Sequence, residues 1–256
     1  TDLVLDLRYN PGGSISAAIY LASMIAPETY VKNKSVFTTM TYNSYLNSAF
    51  DSNNWDRNAY LGSYQTGEQD PLNANLNLNN VYIIATSDSY SASELITFCL
   101  KPYMNVAHIG EKTGGKYTAS WTVSAYDSFD GYAQPVYNAS QLTTSQKSTL
   151  KNWGMQPIVG RFTDKNGTDF IRTNGLIPTY AITSQEYNTE TWKQIGDEED
   201  YLFAKAISLI TGKAYAASAT RNADLKQFSN AKLFSPKDEI LKEGVVIDRP
   251  QIILPE

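Results

Sequence analysis

The chain has 256 residues, of which 42% are hydrophobic and 18% charged, and its net charge is −5. This composition suits a globular domain with a sizeable core. It contains no apolar run near the roughly 18 residues of a membrane-spanning helix, and no basic stripe that would favour nucleic acid. One cysteine, Cys99, and one histidine, His108, exclude a disulfide within the chain, a cysteine-rich zinc site and a histidine metal cluster.

The first half of the chain predicts alternating strands and helices. Apolar runs predict strands over residues 3–7, 36–41, 81–85 and 106–109, and helical spacing predicts helices over residues 16–25 and 92–100. Residues 42–80 are too long for a structureless loop and are expected to carry short elements. Because the chain opens inside a strand without an initiator Met, we expect it to be the later part of a longer polypeptide. The alternation itself implies a mainly parallel sheet with flanking helices.

After Lys116 the pattern predicts a β-rich portion. Strands are expected over residues 118–124, 160–163 and 170–172, with a hairpin turn at Asn166-Gly167. A helix is expected over residues 196–210, where the acidic residues 197–200 would complement the helix dipole. A mixed tail follows Gly212.

Residues 91–94, Ser-Ala-Ser-Glu, follow a predicted strand and turn and open a predicted helix. One interpretation is a capping box, in which Ser91 and Glu94 satisfy free N–H groups at the helix start. The other is a nucleophilic hydroxyl at a helix N-terminus, where backbone donors favour a developing oxyanion. These four residues alone leave both interpretations open.

Residues 110–116, with the sequence GEKTGGK, match the spacing of a phosphate-binding loop. Two features argue against a nucleotide. Tyr117 stands where a Mg²⁺-binding Ser or Thr would be, and residues 117–123 read as a strand where that motif requires a helix. The plain alternative is a glycine-rich turn with a solvated lysine.

A third segment places the glycine pair Gly12-Gly13 between a strand and a helix, where backbone N–H groups can approach a ligand closely. Taken together, DLRxNxGG at residues 6–13, SASE at 91–94 and GExTxGK at 110–116 resemble the C-terminal processing, or tail-specific, serine peptidases. The resemblance runs from about residue 1 to 212 and is loose at residues 42–80 and 134–157. It divides the chain into a catalytic core of residues 1–212, incomplete at its N-terminus, and an extension of residues 213–256 of unknown role.

The resemblance implies a crotonase-like fold shared with the Clp protease, with Ser91 as nucleophile and Lys116, 25 residues later, as general base. The implied oxyanion hole is the N–H of Ala92 with one from Gly12 or Gly13, of which Gly12 is preferred. A lysine can take the serine proton only when it is neutral, so burial has to lower its pKa.

Ser120 occupies the position where this family often has a Gln that orients the lysine, so Ser120 is the expected third member of the site. His108 is the only other candidate base, since the chain has no second histidine. The alternation of residues 106–109 places His108 within a strand, which favours a structural role over a catalytic one.

By resemblance, the expected activity is cleavage near the C-termini of extended or unfolded polypeptides through an acyl-enzyme. It needs neither metal nor cofactor. The resemblance also implies an upstream PDZ-like domain and an extracytoplasmic location in the periplasm or cell envelope. The rival from another class is a non-catalytic peptide-binding or cell-envelope scaffold on the same fold, which the change at Ser120 keeps open. A nucleotide-binding protein that uses residues 110–116 is the second rival.

Overall fold

The computed structural model describes residues 2–126, 135–182, 193–194 and 196–214. The α-helices of these residues are α1 (Ile15–Ile25), α2 (Glu28–Lys32), α3 (Ser44–Ser52), α4 (Ala92–Cys99), α5 (Thr144–Leu150) and α6 (Tyr201–Thr211). The strands are β1 (Val4–Asp6), β2 (Val36–Tyr42), β3 (Asn58–Tyr60), β4 (Asn80–Ala85), β5 (Asn105–Gly110), β6 (Thr118–Ser120), β7 (Val123–Ser124), β8 (Gly154–Met155), β9 (Ile158–Thr163) and β10 (Tyr180–Ala181).

The central sheet is parallel and has the strand order β1-β4-β5-β10. Side chains alternate across it, so that Ile83 joins the large core formed with α1 and α4, while Ile84 packs with Leu202 and Ala206 of α6 on the other face. A parallel sheet covered by helices on both faces confirms the expected α/β architecture. Parallel strands also bring their carboxyl ends to one edge, where the loops after β1, β4 and β5 meet.

The second sheet is antiparallel and has the order β3-β2-β9-β6. Its inward side chains, such as Phe37 and Phe162, belong to the same core as α1 and α4. β6 lies at its edge and begins two residues after Lys116, so this sheet continues directly from the loop that carries the candidate base. The expected β-rich portion after Lys116 is therefore present, although β7 and β8 form a separate two-stranded sheet.

Three predictions for the chain after Lys116 are wrong: one strand, the kind of turn before it, and the start of the last helix. The strand expected over residues 170–172 is a 3₁₀ turn, Ile171–Thr173. A turn is present at Asn166-Gly167, where Asp164 bonds through its backbone to Thr168 and through its side chain to the Asn166 and Thr168 amides. It is not a hairpin turn, because β9 precedes it and the 3₁₀ turn, not a strand, follows it.

The helix expected from residue 196 begins at Tyr201. Asp200 is its N-cap and accepts hydrogen bonds from the backbone N–H groups of Leu202 and Phe203, so the chain cannot be helical before it. The other acidic residues, 197–199, therefore precede the helix and do not form its first turn.

The segment of residues 42–80 carries α3, β3 and a short 3₁₀ helix, Pro71–Ala74, as its length predicted. Among the described residues, none of the helices is both long and apolar enough to cross a membrane. The extension assigned to residues 213–256 lies outside the described residues beyond 214.

Candidate active site

The turn between β4 and α4 is tied to β1 by side-chain hydroxyls. The Ser89 hydroxyl accepts from the Thr86 N–H at 2.9 Å and donates to the carbonyl oxygen of Leu7 at 2.7 Å. The Thr86 hydroxyl donates to the carbonyl oxygen of Arg8. Two adjacent parallel strands are thus joined at the point where their loops begin, and Ser91 follows directly.

Ser91 has a backbone conformation that non-glycine residues rarely adopt, with a φ of 53° and a ψ of −112°. Such a conformation costs on the order of 1–3 kcal/mol and persists only where the surroundings impose it. The side chain is 1% exposed, and its Oγ has no hydrogen-bond partner among the described residues. The Glu94 half of a capping box is formed, since its carboxylate accepts from the Ser91 N–H, but the Ser91 hydroxyl makes no cap hydrogen bond, so helix capping does not account for this oxygen.

Glu94 joins the Ser91 turn to the Lys116 loop. Its buried carboxylate accepts from the backbone N–H groups of Ser91 at 2.9 Å and of Gly115 and Lys116 at 2.8 Å each, and from the Thr113 hydroxyl. Burial raises the pKa of Glu94, and these four hydrogen bonds oppose that effect. One carboxylate therefore sets the position of both candidate catalytic residues.

The hydrogen bonds from the Gly115 and Lys116 N–H groups to Glu94 also argue against a phosphate-binding loop. A phosphate-binding loop needs such amides free to face the ligand, and it leads into a helix. Here both amides are occupied, and the loop leads into β6. The observed structure does not provide the features that would bind a nucleotide there.

Lys116 is half-buried, and burial lowers its pKa, while the charge of Glu94 opposes the shift. A lowered pKa is the direction that a general base requires. Ser120, four residues later, is buried in β6 and pairs with Ile158 across a register irregularity.

Gly12 lies against the start of α4. It has a φ of +96°, and a Cβ added to it would lie 2.7 Å from the Ala92 nitrogen, from Ser91 Cβ and from the Tyr90 oxygen. This contact places the glycine turn directly against the backbone of Ala92. The Gly12 N–H, however, donates to Asn10 Oδ1 at 2.9 Å. The preferred oxyanion donor is thus already occupied in this structure, and the neighbouring Gly13 N–H becomes the better candidate.

Asn10 and Ser93 hold this glycine turn to α4, and the sequence did not single them out. The Ser93 hydroxyl donates to the Asn10 carbonyl oxygen at 2.9 Å and to its Oδ1 at 3.0 Å, and the Tyr90 N–H donates to the same carbonyl oxygen at 3.2 Å. Their spacing within the two motifs was visible in the sequence, but the contact across 83 residues was not.

His108 lies in β5 opposite Ile83, within a strand as expected. Its side chain is fully buried, and neither ring nitrogen has a hydrogen-bond partner among the described residues. Burial lowers its pKa to about 4. The neutral ring is therefore part of the sheet core.

Arg8 forms an ion pair with Asp6, at 3.0 Å. It also makes two parallel hydrogen bonds to Asp200, at 2.8 and 2.9 Å, which the sequence did not predict.

The family comparison agrees with the motifs and the fold. The family model of peptidase family S41 matches residues 1–182. The chain belongs to peptidase family S41. The family resemblance drawn from the three motifs is confirmed, as is the crotonase-like α/β fold.

Solved structures similar to this S41 chain include a proposed S41 protease from Bacteroides fragilis NCTC 9343. It has 25% identity and a TM-score of 0.59 over 83% of this chain and 45% of that one. A photosystem II D1 C-terminal processing protease has 17% identity and a TM-score of 0.44, over 80% of this chain and 39% of that one. A lipoprotein from Streptococcus agalactiae has 17% identity and a TM-score of 0.45, over 83% and 55%. The chain thus spans about half or less of these proteins. No curated protein matches it.

Proposed function

We propose that this chain is a serine endopeptidase with a Ser-Lys dyad, in which Ser91 is the nucleophile and Lys116 the general base. The observation that carries the proposal is the Ser91 hydroxyl, which is buried, unpartnered among the described residues and held in a strained turn at the start of α4. The Glu94 carboxylate links that turn to the Lys116 backbone. Lys116 has the lowered pKa that proton abstraction requires.

In the first step, Ser91 Oγ bonds to the scissile carbonyl carbon while its proton passes to the neutral Nζ of Lys116. The carbonyl oxygen becomes an oxyanion, which the N–H groups of Ala92 and Gly13 would stabilise. The C–N bond then breaks, the proton passes from Lys116 to the leaving amine, and an ester remains on Ser91. Water then loses a proton to Lys116 as its oxygen bonds to the ester carbon; the bond from that carbon to Ser91 Oγ breaks, Lys116 returns the proton to Oγ, and the first fragment leaves with a new C-terminal carboxyl group. Ser120 is proposed to hold the lysine amine in place of the family's glutamine.

We further infer that the substrates are extended or unfolded polypeptides, cut near their C-termini. The position of β6 supports this, because an edge strand that begins beside Lys116 can pair with an extended peptide. By family resemblance, we also propose a PDZ-like domain upstream and a location in the periplasm or cell envelope.

The test is cleavage of an unfolded protein, with the fragments identified by mass spectrometry. Ser91→Ala and Lys116→Ala should each lower the cleavage rate by about a thousandfold or more. Ser87→Ala, in the exposed part of the same turn, and Lys112→Ala, exposed in the same loop, are the matched controls and should cut at the parent rate. If neither the parent nor any variant cuts the substrate, the chain is a non-catalytic binding protein on this fold, and equal cleavage by all five would exclude the Ser91–Lys116 dyad.

A further inference from the structure

We propose that Asp200 is a positioning residue for the candidate oxyanion turn, residues 9–13, and that it acts through Arg8. This inference rests on the proposed function. Arg8 Nη1 donates to Asp200 Oδ2 at 2.9 Å, and Nη2 donates to Oδ1 at 2.8 Å. Both side chains are 11% exposed. A planar guanidinium bound at two points in a partly buried place has one allowed orientation.

The Nε and the carbonyl oxygen of Arg8 are also hydrogen-bonded. Its Nε donates to both oxygens of Asp6, at 3.1 and 3.2 Å, and its carbonyl oxygen accepts from the Thr86 hydroxyl. The residue immediately before the turn is therefore fixed at its side chain by Asp200 and at its carbonyl by the Ser91 turn. Releasing the side chain from Asp200 removes its contact with α6, while its bonds to Asp6 stay within the same short strand.

Asp200 also fixes the start of α6. Its Oδ1 accepts from the N–H groups of Leu202 and Phe203 and so caps the helix. Leu202 and Ala206 pack that helix on the outer face of the sheet against Ile84 and Ile109. Burial by itself would raise the pKa of Asp200, but the hydrogen bonds from Arg8 and the Phe203 amide lower it overall, so the carboxylate is charged at neutral pH.

One carboxylate thus couples the docking of α6 to the position of the glycine turn, across 192 residues of chain. The family match ends at residue 182, before this helix begins. The coupling makes α6 a part of the site's support, although it contributes no group to the chemistry. Donors in the turn act on the oxyanion only as it forms, so a displaced turn lowers kcat and leaves KM nearly unchanged.

The test uses Asp200→Asn in the full chain. Asparagine keeps the size of the side chain and the helix cap but loses the charge that binds Arg8. The matched control is Glu199→Gln, one residue earlier, which loses a charge paired with Lys193 but is 75% exposed. We expect kcat of Asp200→Asn to fall about tenfold with KM within about twofold, and both constants of Glu199→Gln to equal those of the parent.

Arg8→Lys supplies a second variant, because lysine keeps the charge near Asp6 but cannot form the bidentate contact. It should show the same fall in kcat. Combining Arg8→Lys with Asp200→Asn should lower kcat no further than Arg8→Lys alone, since both remove one interaction. Additive losses would contradict an effect that passes through this pair.

Backbone amide exchange gives a readout that does not depend on activity. The Asn10 N–H donates to the Leu7 carbonyl and the Gly12 N–H to Asn10, so both amides are protected. Exchange at residues 9–13 should be faster in Asp200→Asn than in Glu199→Gln. Equal exchange in the two variants would overturn the inference whatever their activity. If the parent shows no Ser91-dependent cleavage, the proposed function fails, and exchange alone decides the inference.

Discussion

The Ser91 turn and the Lys116 loop lie next to each other, but they are held in different ways. The Ser91 turn is fixed by side-chain hydroxyls that bond to the backbone of β1 and by the close approach of Gly12. The Lys116 loop is fixed through its own backbone amides, which converge on the Glu94 carboxylate. Neutral contacts to β1 and Gly12 dominate in the first element. In the second, three donors from Thr113, Gly115 and Lys116 converge on one buried carboxylate, beside neutral bonds such as that from the Gly114 N–H to the Ser89 carbonyl.

This difference teaches where the site is sensitive to substitution. An element held by many neutral contacts loses function mainly when its shape is violated. An element whose donors converge on one carboxylate is weakened most when that charge is removed.

The largest effect is expected from Gly12→Ala, which violates the shape of the Ser91 turn. The new Cβ would lie 2.7 Å from backbone and side-chain atoms at the start of α4, so the turn has to move. We expect cleavage to fall by about a hundredfold or more, because the displaced turn moves the proposed Gly13 donor away from the oxyanion. The control is Gly67→Ala, which has a similar φ of +94° but open space around it. Equal activity of the two variants would show that the close approach at Gly12 is not needed.

The next effect is that of Glu94→Gln, which removes the charge from the Lys116 loop. An amide cannot accept from all four donors, and its NH₂ would face an N–H. We expect unfolding to become easier by about 2–4 kcal/mol and cleavage to fall by about a hundredfold. The control is Glu68→Gln, which alters a carboxylate that accepts one backbone N–H at an exposed turn. It should change neither the free energy of unfolding nor the cleavage rate by much. A Glu94→Gln protein as stable as the parent would mean that the loop holds its own shape.

A smaller effect is expected in the pH dependence of cleavage. Neutral Lys116 is the active form, so kcat/KM should rise with pH, centred below the ordinary lysine value of 10.5 because burial lowers this pKa. The charge of Glu94 opposes that shift, so the residual activity of Glu94→Gln should rise at a lower pH than that of the parent. The two profiles are compared on one peptide substrate. A shift to higher pH would contradict the electrostatic link between the two elements.

The smallest effect on the site is expected from His108, which belongs to the sheet and to neither loop. Its folded pKa of about 4 lies below the unfolded value of 6.5, so below pH 6.5 the unfolded chain binds the proton more readily. Stability should fall by about 3 kcal/mol as pH drops from 6.5 to 4, at about 1.4 kcal/mol per unit. Denaturant unfolding of His108→Leu should lack this share of the acid loss. If the acid loss of this variant matches that of the parent, His108 is not the buried neutral group described here.

The sequence predicted the parts of the fold that depend on local periodicity. The strands of the parallel sheet and the helices α1 and α4 have apolar patterns that few alternatives satisfy. The strand expected at residues 170–172 was wrong because Asp169 accepts from the Ile171 N–H and Thr173 bonds back to the Phe170 carbonyl, which closes a turn that periodicity does not reveal. The start of α6 was placed too early because any of four consecutive acidic residues could serve as the cap.

The sequence also predicted only some of the residues of the candidate site. The motif spacing brought Ser91, Lys116 and the glycine pair to attention, and the structure places Gly12 against Ser91. Glu94 was visible only as a helix cap, because its bonds to the Lys116 loop join residues about 20 positions apart. The contact of Arg8 with Asp200 links the two ends of the described chain, and no local pattern signals it.

The central claim is that the buried hydroxyl of Ser91 is a nucleophile activated by Lys116. The most direct measurement is reaction of the chain with a serine-directed fluorophosphonate, followed by intact-mass analysis and peptide mapping. We predict a single adduct at Ser91 that forms faster as pH rises and is lost in Lys116→Ala. No adduct, an adduct elsewhere, or labelling that Lys116→Ala leaves unchanged would contradict the claim.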